Sequence, residues 1–409
     1  MLERQAGVAE YLNLNKNLLD VVAKKEEDLP SYFRKIKIAF LSNFTLQGLP
    51  ETFKVQALAH NLWVDFYLAP YNQYAQEILN PESELNKFQP KLVYFLVDLT
   101  DADQDQINKL VDVLRNKGFA VKLVWGSVIK EKFGDYWYTK YKELGDLRLA
   151  PNAFPSFVAE GLMGEAIAIS GATKKCLVLD LDNTLWQGIV GEDGPENIKP
   201  YRGLQEQLLQ FYRQGVILAL NSRNSEADAW SVIQYHPDML VRKEHIAAWR
   251  INWQDKVTNT QELAGELNLG LDSFVFVDDD PFQQNIVRSA LPMVTVLSPG
   301  AIKKYPGFAT LNFTEEDTNR GQMYVHERSR QELKVTLASV DDFLRQLNLE
   351  VAIKTASPET ITRISQLTQK TNQFNLATRR YSELELKNMI AGGWKVWTIQ
   401  AEDKFGDYQ

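Results

Sequence analysis

Residues 174–186, KKCLVLDLDNTLW, drive a short apolar run straight into two carboxylates, Asp180 and Asp182. The run Cys176 to Leu179 is too short for a helix and has no polar face, so it reads as a buried strand of a parallel sheet. In open α/β sheets ligands gather at the carboxyl ends of such strands, which is where Asp180 would stand. Residues two apart on an extended chain point the same way. A first Asp can then attack phosphorus while the second moves protons to and from the leaving group. A strand closing in an Asx turn would use the same Asp and Asn residues, so this segment alone leaves both readings open.

Three later segments supply, in order, what a phosphate site lacks. Residues 216–223, VILALNSR, form an apolar strand ending in Ser222, whose hydroxyl and N–H can hold a phosphoryl oxygen. Lys256, in INWQDKVTN, offers a cation against the charge of a transferring phosphoryl group. Residues 274–281, FVFVDDDP, are a third apolar strand, ending in Asp278, Asp279 and Asp280. Carboxylates at strand ends are the hard oxygen ligands that Mg²⁺ takes. Thr184, in the first turn, is a further phosphate contact, and Arg223 suits a second anionic end of the substrate. Arg223 would equally serve as a solvated or helix-capping residue.

The remaining composition narrows the setting. A net charge of −8 argues against nucleic acid as the main partner, since phosphate backbones are bound by a surplus of Lys and Arg. No apolar run is long enough to span a membrane, and residues 1–30 are too broken by charge for a secretion signal. The single cysteine suits a reducing compartment. A cytoplasmic protein is expected.

The order of apolar and polar segments predicts an α/β chain in several parts. Residues 1–30 read as a helical arm and 31–150 as a doubly wound α/β domain with strands at KIAFLSNF, WVDFYLAP, KLVYFLVDL and AVKLVWG. Residues 151–312 form the catalytic core, entered through a helical link at 157–170. A charged helical linker at 313–345 leads to a final unit at 346–409, with strands at LEVAIK and WKVWTIQ. There are too few residues between Ser222 and Lys256 for a cap domain, while 187–200, QGIVGEDGPENIKP, reads as a short flap over an open site.

The four motifs together resemble the haloacid dehalogenase (HAD) superfamily of phosphatases and phosphotransferases. The resemblance makes Asp180 the nucleophile and Asp182 the acid/base, with Ser222 gripping phosphate and Lys256 offsetting its charge. It assigns Mg²⁺ to Asp180, the Asp182 carbonyl, Asp278 and Asp279. The wider order, with LSNFTL, GIVGEDG, VDDDP and TNQFNLATRRYSE, resembles the FkbH-like glyceryl transferase/phosphatases over nearly the whole chain. That family implies an acyl carrier protein as partner. Its phosphopantetheine thiol would take the three-carbon acyl unit of D-1,3-bisphosphoglycerate in polyketide-type biosynthesis, and the remaining phosphate would be removed. A stand-alone phosphatase of small phosphorylated acids and a non-catalytic docking subunit are the alternatives.

Some positions depart from the family's pattern. Leu181 stands where some members place a cysteine between the two Asp, and Gln187 replaces the first of a glycine pair. Cys176 is the one thiol available for an acyl thioester, but four strand residues at ~3.3 Å each place it about 13 Å from Asp180. It reads as a small core residue. The first domain resembles the SGNH hydrolases, with Ser42 at the nucleophile position but no His at the spacing that a base requires. It reads as a binding or docking module, with Asn43 and Thr45 as contacts. The tail resembles the first half of an N-acetyltransferase-like fold.

Overall fold

The computed structural model describes residues 13, 16–17, 29–137, 145–309, 315–337, 339–370 and 381–408. The expected N-terminal arm at 1–30 therefore lies almost wholly outside the described residues, as does most of TNQFNLATRRYSE. The chain divides into a larger unit, Met1–Thr318, and a smaller one, Asn319–Gln409.

The larger unit holds two parallel sheets. The first is built from β1 (Arg34–Ser42), β2 (Leu62–Leu68), β3 (Leu92–Val97) and β4 (Ala120–Trp125), in the order β2-β1-β3-β4. Every residue of β3 is buried, because helices cover both faces of this sheet. On one face Phe40 and Tyr94 stack at 5.4 Å, and α1 (Leu49–Leu58) adds Phe53. The other face is closed by Ile107, Val111 and Leu114 of α2 (Gln104–Asn116), spaced at helical intervals. The expected link, including α3 (Met163–Ser170), packs into the first of these faces through Phe154, Phe157, Leu162 and Met163.

The second sheet contains β5 (Cys176–Leu179), β8 (Ile217–Ser222), β9 (Ile246–Ile251), β10 (Phe274–Val277) and β11 (Thr295–Leu297), all parallel. Their order, β11-β10-β5-β8-β9, puts β5 in the middle. Register does the rest: Leu179 is paired with Val277 on one side and Leu220 on the other. The next residues, Asp180, Asp278 and Asn221, thus leave the sheet side by side. A two-stranded antiparallel ribbon, β6 (Trp186–Gln187) with β7 (Lys199–Pro200), forms the base of the expected flap. Its tip carries a single turn of helix, α4 (Val190–Asp193).

The smaller unit contains an antiparallel sheet of β12 (Glu350–Thr355), β13 (Trp397–Asp403) and β14 (Gly406–Tyr408). Arg330 secures it with a buried two-pronged pair to Asp403, Nε to Oδ2 at 2.7 Å and Nη2 to Oδ1 at 3.1 Å. Among the described residues no helix is long and apolar enough to cross a membrane.

Candidate active site

At the carboxyl ends of β10, β5 and β8 the predicted residues converge. One carboxylate oxygen from each of Asp180, Asp278 and Asp279 lies within 4.8 Å of the other two. Asp180 and Asp278 are buried, while Asp279 is exposed. Lys256 reaches in from the first position of α5 (Lys256–Glu266), its Nζ 2.8 Å from Asp180 Oδ1 and 2.5 Å from Asp278 Oδ2. An ammonium bridging two buried carboxylates marks a pocket that demands positive charge.

The titration behaviour follows from that crowding. Burial raises the Asp180 carboxyl above the ordinary range, although Lys256 and the Ser222 hydroxyl both favour its charged form. Asp278 is raised for the same reason, and the neighbouring Asp180 charge adds to it. Burial would lower the Lys256 amine, but the two carboxylates outweigh it and hold the group above the usual lysine value.

Asp182 is held apart from this cluster by three donors. Its Oδ1 accepts from Trp186 Nε1 at 2.9 Å and from the Val190 N–H at 3.2 Å, and its Oδ2 accepts from Asn224 Nδ2 at 2.9 Å. Asn183 supplies the turn between the two Asp and the flap by taking a left-handed φ of 55°, a conformation that Asn tolerates. Its side chain accepts from the Gly188 N–H at 3.1 Å.

The other predicted residues fall as follows. Ser222 is buried at the end of β8, and its hydroxyl favours the charged form of Asp180, at the place where a phosphoryl oxygen would arrive. Thr184 is fully buried, and its hydroxyl takes the Asp279 N–H at 3.2 Å and faces Asp279 Oδ1 at 3.4 Å. It braces the second acidic turn instead of being free for phosphate. Arg223 is exposed. Cys176 is sealed in the middle of the sheet between Phe274 and Ile217, and burial drives its thiol far above the usual value. A thioester on it would have nowhere to go.

Several supporting residues were not foreseen. Asn221 donates to the Lys256 carbonyl at 2.9 Å and to Thr260 Oγ1 at 3.1 Å, and Asn259 donates back to it at 3.1 Å. This buried amide lattice pins the start of α5 and so aims Lys256. The Asn beside Ser222 in VILALNSR was its one sequence signal, since an amide at the end of an apolar strand needs a partner.

At the ends of β1 and β3 the first domain shows a filled crevice. Asn43 and Asp98 bond reciprocally, Nδ2 to the carbonyl at 2.8 Å and N–H to Oδ1 at 2.9 Å. Arg148, 3% exposed, bonds to Asp98 at 2.5 Å, to Asp146 at 2.8 Å and also to Asp101. Thr45 donates to the Gly145 carbonyl. The groups expected to contact a ligand there are engaged within the protein. Ser42 is buried, its Oγ accepting from the Phe44 N–H at 3.0 Å. His60 sits near the opposite end of β1, where Asn61 bonds to Arg34, so eight strand residues, about 26 Å, separate it from Ser42.

Against known structures, this chain is similar to the N-terminal part of the protein BF1531 from Bacteroides fragilis, a crystal structure containing a phosphatase domain complexed with Mg. The identity is 26%, the TM-score 0.59, and the match covers 74% of this chain and 98% of that one. The parallel five-stranded sheet of this chain fits a Rossmann-like phosphatase domain of that kind. No family model and no curated protein matches the chain.

Proposed function

We propose that this protein is a magnesium-dependent phosphatase. The observation that carries the reading is the convergence of Asp180, Asp278 and Asp279 with Lys256 at the ends of adjacent parallel strands. The residues fit the ion. They offer hard oxygen donors of the kind Mg²⁺ prefers, in a pocket that Lys256 already marks as wanting positive charge. The similar BF1531 structure, which contains a phosphatase domain, is complexed with Mg. Asp180, Asp278, Asp279 and the Asp182 carbonyl would hold the ion. Bound there, it supplies charge that counters the negative phosphoryl oxygens.

The chain's own groups do the rest. Asp180 attacks phosphorus and the bond to the leaving oxygen breaks, leaving an aspartyl phosphate. Asp182 hands its proton to the departing oxygen, then takes one from the water that releases phosphate. Ser222 and Lys256 hold the phosphoryl oxygens while their charge shifts.

For substrate, we propose a small phosphorylated three-carbon acid, with transfer of an acyl unit from an acyl phosphate to a carrier-protein thiol as the fuller activity. The resemblance to the FkbH-like proteins supports this, and the short flap carries no cap domain over the strand ends. An acyl phosphate is already activated, so transfer needs mainly positioning and oxyanion stabilisation.

Replacing Asp180 by Asn should lower Mg²⁺-dependent hydrolysis of p-nitrophenyl phosphate by at least ~10³-fold without loss of fold. Hydrolysis that persists with normal Mg²⁺ dependence would sink the phosphatase reading. Incubation with Mg²⁺, an acyl phosphate and phosphopantetheinylated carrier, followed by weighing the carrier, tests the transfer. An unchanged carrier mass leaves only the phosphatase.

A further inference from the structure

Asp182 meets only donors. The indole N–H, the backbone N–H of Val190 and the side-chain amide of Asn224 can each give a hydrogen bond at that atom and cannot accept one there. Oδ1 takes two of them, Trp186 and Val190, which occupy both of its lone pairs. Oδ2 takes only Asn224 and keeps one lone pair. Asn224 is itself fixed, because its Oδ1 accepts the Ser225 N–H at 2.9 Å and so turns Nδ2 toward Asp182. Trp186, fully buried, opens β6 at the base of the flap, and Val190, 2% exposed, opens α4 at its tip.

We infer that Trp186 and Val190 are positioning residues: the flap clamps Oδ1 of Asp182, so that the proton exchanged with the leaving group travels through Oδ2 alone. This rests on the phosphatase reading above. In the first half-reaction Asp180 forms its bond to phosphorus as the phosphorus–oxygen bond to the leaving group breaks, and the Oδ2 proton moves to that oxygen. In the second, water attacks phosphorus, its proton moves to Oδ2, and Asp180 is released with inorganic phosphate. A carboxylate free to rotate would present Oδ2 to the leaving oxygen for only part of the time. The flap thus takes part in proton transfer without touching the phosphoryl group.

The geometry offers a substitution for each donor. Trp186→Phe removes the indole N–H and keeps an aromatic ring. Val190→Pro removes the backbone N–H and replaces the buried isopropyl group with an apolar ring of similar size. Val190 is the first residue of α4, where Pro is tolerated, and Ile189 before it is extended at φ −116° and ψ 111°, as a residue preceding Pro must be. Single-turnover phosphoryl transfer is measured with two substrates. An alkyl phosphate needs its leaving oxygen protonated, whereas p-nitrophenolate departs without a proton.

Each variant should slow transfer from the alkyl phosphate by about tenfold or more, part of the ~10²–10⁴-fold that general acid catalysis supplies, with p-nitrophenyl phosphate changed by less than about threefold. KM should hold for both. Equal losses with the two substrates, or none with either, would overturn the clamp. If neither variant folds, the contact is read in the wild-type fold: the Trp186 indole N–H resonance should shift in Asp182→Ala, and an unmoved resonance overturns the proposal. Wild-type protein without Asp180-dependent turnover of either substrate would remove the phosphatase reading and this inference together.

Discussion

Lys256 opens a helix, a position where the peptide dipoles disfavour a cation. What holds it there is the pair of buried carboxylates it bridges, and they need it as much as it needs them. Lys256→Met should leave Asp180 and Asp278 repelling one another, at a cost on the order of 3–5 kcal/mol. In chelator the thermal midpoint should drop, and added Mg²⁺ should restore most of it. An unchanged midpoint in chelator would show that Lys256 does not balance that pair. Arg223 differs, since it is exposed one residue beyond Ser222 and is free to meet a ligand's far end. Arg223→Ala should raise KM for a bis-anionic three-carbon substrate about tenfold more than for p-nitrophenyl phosphate, roughly the worth of one charge-assisted pair. Equal changes would leave the three-carbon assignment resting on resemblance alone.

At the level of elements, strand ends behave differently in the two sheets of the larger unit. In the second sheet they converge on an acidic cluster, whereas in the first Asn43 ties the ends of β1 and β3 and Arg148 gathers Asp98, Asp101 and Asp146. The worth of that tie depends on depth. Asp98 is 8% exposed at its side chain and Asp101 is 59% exposed. Arg148→Leu strands Asp98 without its cation and should destabilise the protein by roughly 3–5 kcal/mol. Asp101→Asn breaks a pair whose acid faces solvent and should cost under about 1 kcal/mol. Denaturant midpoints check both. Similar losses would mean that the two carboxylates share the guanidinium equally, against the difference in burial.

On the scale of the whole larger unit, the first domain meets the catalytic core through His60, which stands 5.6 Å from Tyr305, and through Arg34, which pairs with Asp272 at 3.2 Å. Burial, followed by the positive charge of Lys174, lowers the His60 pKa from 6.5 to about 4. In that window the unfolded chain binds the proton and the folded one does not. Stability from this group is therefore complete above pH 6.5 and falls as the pH drops toward 4. Full burial would make the shift worth ~3 kcal/mol, but the ring keeps partial solvent access, so about 1–2 kcal/mol is expected. His60→Phe should flatten that part of the stability–pH curve. A curve as steep as the wild type's would place the acid sensitivity elsewhere.

How much of this was legible beforehand follows from the range of the forces involved. Apolar runs such as CLVL, ILAL and FVFV determine buried strands, because nothing else hides so short a stretch of uninterrupted hydrophobic surface. Polar residues directly after those runs must therefore emerge at strand ends, which is why Asp180, Ser222 and Asp278 could be assigned from the chain alone. Partners could not be read this way. That Thr184 braces Asp279, that Asn221 holds α5, and that Trp186 reaches back to Asp182 depend on strand order, register and the path of the flap. Asn43 and Thr45 show the same limit: nothing near them in sequence announces that Asp98 and the Gly145 carbonyl will engage them. Hydrophobic periodicity decides locally which side of an element is buried. Each hydrogen-bond partner is decided by which distant residue the packed fold brings within about 3 Å.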